Sequence, residues 1–248
     1  MRLLLVNPNM TAAMTDRMAV IARATAGNRA EIVPLTATRG FPYIASRAEA
    51  QIGGSIALEM IADNLDGIDA VILAAFGDPG LAGAREIFDL PVIGMAEAAA
   101  MSAAMLGERF SVVTFSPLMT RWYDDCIRAT GLGARFTGVR TPEAREVDVA
   151  NVRTGLRGEL VRLANSAAEE DGADVVILGG APLAGLAPEV APEIRAVVID
   201  PIAAATAQAL TLATLGAGFA GRAWKPAAKA SAGLAPALAA AIAMEARP

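Results

Sequence analysis

Chemistry in this chain has to come from few side chains, because its 248 residues include no histidine and a single cysteine, Cys126. That removes the usual general base near neutral pH, the commonest metal ligand and any Ser-His-Asp arrangement. The remaining groups able to handle a proton are Asp78, Glu97 and the only two tyrosines, Tyr43 and Tyr123. A phenol can donate to an oxyanion, although a tyrosine at the rim of a core is the commoner case. Asp78 is followed by Pro79, the pattern of an N-cap with proline at the first helical position, so helix capping competes with acid–base work there. Glu49 and Glu97 read as surface or capping groups. Cys126 lies four residues after Trp122 in RWYDDC, shares its helix face and reads as a core residue.

Four short stretches could hold a ligand: Asn7-Pro8-Asn9, Ala75-Phe76-Gly77-Asp78-Pro79-Gly80, Thr114-Phe115-Ser116-Pro117 and Gly179-Gly180-Ala181-Pro182. The amides of Asn7 and Asn9 either donate to a ligand or cap the helix that starts near Thr11. Thr114 and Ser116 divide the same way. Phe76, Gly77 and Ala181 would contribute backbone and walls.

The elements that carry these loops follow from periodicity. Strands are expected at Leu3–Asn7, Glu31–Leu35, Ala70–Ala75, Val92–Met95, Phe110–Phe115, Phe136–Arg140, Val175–Gly179 and Ala196–Ile199. Helical patterns fall near 11–26, 46–65, 79–88, 96–106, 117–130, 150–171, 184–191 and 202–215. DAVILAA and DVVILGG are apolar at every position, which suits strands covered on both faces and therefore a parallel sheet between helices.

The chain also repeats. Asp69–Ala75 aligns with Asp174–Gly180 at an offset of 105, and the same offset pairs Gly80-Leu81-Ala82 with Gly185-Leu186-Ala187 and Val92 with Val197. At an offset of 107, Leu5–Asn9 lies over Val112–Ser116. The order of strands, loops and helices agrees as well, so the fold class expected is α/β, with two pseudo-symmetric Rossmann-like halves. Residues 1–96 plus about 201–248 form one half, and 97–200 the other. Ligands of parallel sheets bind beyond the carboxyl ends of the strands. The four loops should thus face one another across a cleft, with two opposed helix N-termini suited to a small anion, a carboxylate or an imide.

Composition narrows the partners. Net charge is −5 with no basic run longer than two residues, which argues against nucleic acid. No GxGxxG or GxxxxGK[ST] occurs, which disfavours a nucleotide, and no metal or other cofactor is expected. Residues 201–221 lack charge but contain Pro201, Thr206, Gln208, Gly216 and Gly218, so they read as a buried helix and not a membrane span. A cytoplasmic location and a homo-oligomer, with Ala-rich helices as contact surfaces, complete the expectation.

Assembled, VNPN, DAVILAAFGDPGLAGARE, PVIGMAEAAA, VTFS, DVVILGGAPLAGLA and VIDPIAAA resemble the hydantoin racemase branch of the Asp/Glu racemase superfamily, in the family's order, from residue 6 to about 205. FGDPGL followed by ARE and PVIG is the most specific piece. The resemblance implies two Rossmann-like halves related by a pseudo-two-fold axis. It also implies two cysteines that move a proton on opposite faces of the substrate's α-carbon, since inverting a stereocentre through a planar carbanion takes an acid and a base on opposing sides. Thiols suit that work because their pKa is tunable. At the positions of those cysteines this chain has Ala75 and Gly180, neither of which can move a proton. The resembling arylmalonate decarboxylases keep only the second cysteine, and that too is missing.

Three readings follow. One is an isomerase (racemase) on an amino-acid derivative or cyclic ureide, with acid–base groups recruited from Asp78, Tyr43, Tyr123 or Glu97. A second is a thiol-independent lyase or decarboxylase on the same scaffold. The third is a non-catalytic binder of a small anionic ligand. The partner in each case is a small-molecule carboxylate, imide or ureide.

Overall fold

The structure is a computed structural model that describes residues 1–143, 148–149, 151–217 and 225–244. Its first part runs β1 (Arg2–Asn7), α1 (Ala12–Ala26), β2 (Glu31–Thr36), α2 (Arg47–Asp63), β3 (Ala70–Leu73), α3 (Leu81–Ile87), β4 (Val92–Gly94) and α4 (Met95–Leu106). The second runs β5 (Phe110–Val113), α5 (Thr120–Ala129), β6 (Phe136–Arg140), α6 (Val152–Gly155), α7 (Arg157–Glu169), β7 (Val175–Leu178), α8 (Ala187–Val190), β8 (Val197–Ile199), α9 (Pro201–Leu215) and α10 (Pro236–Ile242).

Two four-stranded parallel sheets result, ordered β2-β1-β3-β4 and β6-β5-β7-β8. The second repeats the first strand for strand, as the internal sequence repeat requires. The apolar runs are explained by what covers them. Leu3, Leu5, Ala70 and Ile72 point into one core and Leu4, Val6, Val71 and Leu73 into another, all fully buried. A polar residue at any of these positions would be buried without a partner.

In both sheets the chain leaves the middle in opposite directions, at β1/β3 and at β5/β7. The carboxyl ends of these pairs form the crevice that open α/β sheets offer a ligand. The halves are tied together by Arg17, which donates to the Pro182 carbonyl at 3.3 Å, and by Arg47, which pairs with Asp125 and donates to the Arg121 carbonyl at 3.1 Å. Gln208 donates to the carbonyl of Ala98, joining α9 to α4.

Several expectations change. β3, β5 and β7 end one or two residues early, so Ala75, Thr114 and Gly179 belong to loops. The helix expected over 79–88 begins at Leu81 with Gly80 as its N-cap. The one expected over 117–130 opens as a 3-10 turn, Pro117–Met119, capped by Ser116. The pattern over 150–171 splits into α6 and α7; residue 150 itself lies outside the described set. The pattern at 184–191 shrinks to α8, whose entry is a 3-10 turn at Ala181–Leu183. Glu49 does cap: it accepts the Ala45 N–H while Ser46 accepts the Glu49 N–H, a reciprocal box at the start of α2. Of the uncharged stretch, Pro201–Leu215 form α9, capped by Asp200 on the N–H groups of Ile202 and Ala203, and residues 218–221 lie outside the described set. Among the described residues no helix is long and apolar enough to cross a membrane. The alanine-rich tail forms α10 against α2, and residues 245–248 lie outside the described set.

Candidate active site

A cavity lies where the two crevices meet. The loop after β1 supplies Asn9, that after β3 supplies Ala75 and Phe76, that after β5 supplies Phe115, and that after β7 supplies Ala181 and Pro182. Met14 of α1, Tyr43 and Ile44 before α2, and Met119, Trp122 and Tyr123 around α5 close it. Its free volume is about 20 Å³, room for roughly one water molecule. A drug-sized ligand site runs to roughly 300–1,000 Å³, so a ligand has to move some of these side chains aside.

None of the lining side chains carries a formal charge at neutral pH. Asn9 is buried, and its Oδ1 accepts from Asn7 Nδ2 at 3.1 Å and from the Thr11 N–H at 3.0 Å. Those bonds fix the amide so that its NH₂ remains for the cavity. Asn7 does not reach the cavity: it donates to Asn9 and, at 2.9 Å, to Thr15, and accepts the Asn9 N–H. The two asparagines are thus a support and a presented group. Ser116 is a cap on the Leu118 N–H, with its hydroxyl turned from the cavity walls.

The expected pair of opposed helix N-termini is not built. α3 is short and starts late, and the entry to α8 is a 3-10 turn, so the backbone facing the cavity is loop. The long helix nearby, α4, already has an anion at its N-terminus. Asp78 accepts the N–H groups of Ala96 and Glu97, both at 2.8 Å. Asp78 therefore caps a helix, as its sequence context suggests, but α4 instead of its own. It can do so because its backbone turns left-handed, φ 50°, after the Ala75 carbonyl takes its N–H. Burial pushes the Asp78 carboxyl up to about 7, against the pull of those two N–H donors. Glu97 is held by Arg85 and stays out of the cavity.

Of the candidate proton carriers, the two tyrosines line the cavity. Tyr43 sits at its half-exposed mouth. Tyr123 is buried, its ring 4.7 Å from that of Phe76 and 5.3 Å from that of Trp122. Burial holds its phenol well above the usual range, so it stays protonated at neutral pH. Thr114 lies beside it, fully buried; its Oγ1 is in range of the phenol but makes no well-formed hydrogen bond. Cys126 is half-buried against the core, and burial pushes its thiol up, so it is an inert packing group.

Residues 75 and 180 occupy equivalent places in the two halves. Ala75 faces the cavity. Gly180 adopts φ 124° and ψ 136°, and a Cβ there would stand 2.8 Å from the Phe115 ring and 3.6 Å from the Tyr123 hydroxyl. Trp122 and Met119 are wall residues that lie outside the loop motifs. A signal existed for Trp122: one turn of α5 buries Trp122 and Tyr123 and the next buries Ile127.

Gly77 is required by Trp122. Its φ is 103°, and a Cβ would fall inside the indole ring. Gly77→Ala is expected to cost about 2–4 kcal/mol from the left-handed backbone and the clash. The emission of Trp122, read in a Trp224→Phe background, should shift to the red as the indole is displaced; an unshifted spectrum with wild-type stability contradicts this packing.

The Asp/Glu/hydantoin racemase pattern matches residues 3–209. The chain is 33% identical to a hydantoin racemase of Pseudomonas sp. (strain NS671) over 217 residues, 87% of each chain. It is 30% identical to the hydantoin racemase of Paenarthrobacter aurescens, covering 87% of this chain and 92% of that one. The allantoin racemase of Klebsiella pneumoniae superimposes with a TM-score of 0.87 at 32% identity, covering 96% of this chain and 98% of the other. The repeated sheets, the cavity between their switch points and these matches over most of the sequence agree: the chain belongs to the Asp/Glu/hydantoin racemase family.

Proposed function

We propose that the chain is an isomerase that racemises a neutral five-membered cyclic ureide, a hydantoin or allantoin, by exchange of its ring α-proton without a protein thiol. The observation that carries the substrate class is the uncharged lining of the cavity, aromatic and thioether walls with one presented amide, Asn9. An amino-acid zwitterion or a malonate would bury its carboxylate there with no cation on the cavity wall, which is costly. The relatives that act on hydantoins and allantoin support the same class.

Ala75 and Gly180 stand, in this reading, where the family's two thiols would be. The ring carbon next to a carbonyl loses its proton to solvent, and its electrons move onto that carbonyl oxygen. Donors on the wall stabilise the enolate, and the planar carbon takes a proton back from either side. With no ionised base on the wall, the protein contributes oxyanion stabilisation and leaves proton transfer to water. Asp78 acts as a helix cap and Tyr43 as a mouth residue.

A ligand binder without turnover is the second reading, favoured by the small cavity and a tyrosine that burial keeps protonated. Enantiopure allantoin and 5-methylhydantoin in D₂O, followed by proton NMR and polarimetry, separate the two. Exchange at the ring carbon with loss of optical rotation, above the buffer rate, supports the isomerase. Binding-induced shifts without exchange assign the protein to the binder class, and neither signal removes the ureide.

A further inference from the structure

One buried hydroxyl beside the cavity, that of Thr114, makes no well-formed hydrogen bond, and its neighbour Tyr123 lines the cavity. Buried tyrosine hydroxyls ordinarily find a hydrogen-bond partner, and a buried polar atom left without one costs free energy. The Thr114 Oγ1 is fully enclosed. Its contact with the Tyr123 phenol is a marginal hydrogen bond, short of well-formed geometry. Tyr123 itself lines the cavity, held by Phe76 on one side and Trp122 on the other. Because residue 180 has no side chain, nothing from β7 fills the space next to the phenol oxygen, where a Cβ would approach to 3.6 Å.

We propose that Tyr123 and Thr114 form the subsite for the ring carbonyl adjacent to the exchanging carbon: the Tyr123 O–H donates to that oxygen, and the Thr114 O–H donates to Tyr123. Tyr123 is then a catalytic residue and Thr114 a positioning residue. The arrival of the ligand oxygen orients the phenol and tightens its marginal contact with the threonine. No covalent step is involved; the negative charge that develops on the carbonyl oxygen strengthens both bonds, which is what oxyanion stabilisation requires. The inference rests on the ureide reading above.

The test compares hydantoin with 2-imidazolidinone, which keeps the urea but lacks the second carbonyl, by calorimetric titration. Tyr123→Phe keeps the ring packing and removes only the donor. It should weaken hydantoin about tenfold, the effect of one good hydrogen bond, and leave 2-imidazolidinone within about twofold. Thr114→Val should weaken hydantoin by a smaller factor and Thr114→Ser should restore it, with kcat for α-proton exchange falling more than KM rises. Equal weakening of both ligands by Tyr123→Phe indicates packing and overturns the assignment, as does unchanged hydantoin binding. If the wild type binds neither compound, the ureide reading fails and the subsite fails with it. If hydantoin binds and Tyr123→Phe is silent, only the subsite falls.

Discussion

Gly180→Cys is expected to destabilise the protein by about 2–4 kcal/mol, and Ala75→Cys by less than about 1 kcal/mol. The asymmetry comes from the backbone. At φ 124° and ψ 136°, residue 180 occupies a region almost reserved for glycine, and its Cβ would press on Phe115 at 2.8 Å. Ala75 has no such constraint and points its methyl at the cavity, where a sulfur adds little strain. Urea unfolding of the two single variants measures this directly. Equal midpoints for Gly180→Cys and the wild type would falsify the assignment of strain. The consequence is chemical. A two-thiol site cannot be assembled here by exchanging two side chains, because the second position has settled into a glycine conformation with Phe115 packed against it. Ala75→Cys alone supplies one thiol on one face, and in the D₂O experiment it should raise exchange above the wild-type rate.

The second large effect is expected at Asp78. Asp78→Ala leaves the N–H groups of Ala96 and Glu97 without an acceptor at the buried start of α4, for a loss of about 2–4 kcal/mol. Since α4 packs on α9, α5 and β7, the loss should appear as a lower global unfolding midpoint, not as local fraying. The same carboxyl gives a signed pH dependence. Its folded pKa of about 7 lies above the ordinary aspartate value of 3.8, so the folded state holds the proton more tightly. The stability this provides is complete below about pH 4 and is lost as pH rises through 7. Relative to Asp78→Asn, the wild type should weaken across that window. A flat difference curve means that the two N–H donors offset the burial, and the carboxylate is then an ordinary charged cap.

Much of the architecture was legible from residue order. DAVIL and DVVIL are apolar at every position only because both faces are covered, and their recurrence with matching loops foretold two similar sheets. The four loops were legible for the same reason: strand ends are where polar and glycine residues gather, and of the six expected site residues that reach the cavity, four, Asn9, Ala75, Phe76 and Ala181, do so from those loops. Tyr43 and Tyr123 reach it from outside them. Asn7 and Asn9 could not be told apart in one dimension, since both are amides two residues apart. What separates them is the bond network to Thr15 and Thr11.

Sequence alone determined the class of fold, the repeat and the poverty of proton-carrying groups, because strand and helix periods and the absence of histidine are local or compositional facts. Tertiary structure decided the rest. It sent Asp78 across to α4, turned Gly180 into a backbone that only glycine tolerates, and brought Trp122 over Gly77 to close the cavity. It set Tyr123 beside the buried Thr114 in the wall of the cavity. Each of these depends on where two segments distant in sequence meet, and the free energy of such a meeting is a property of the packed chain, not of either segment.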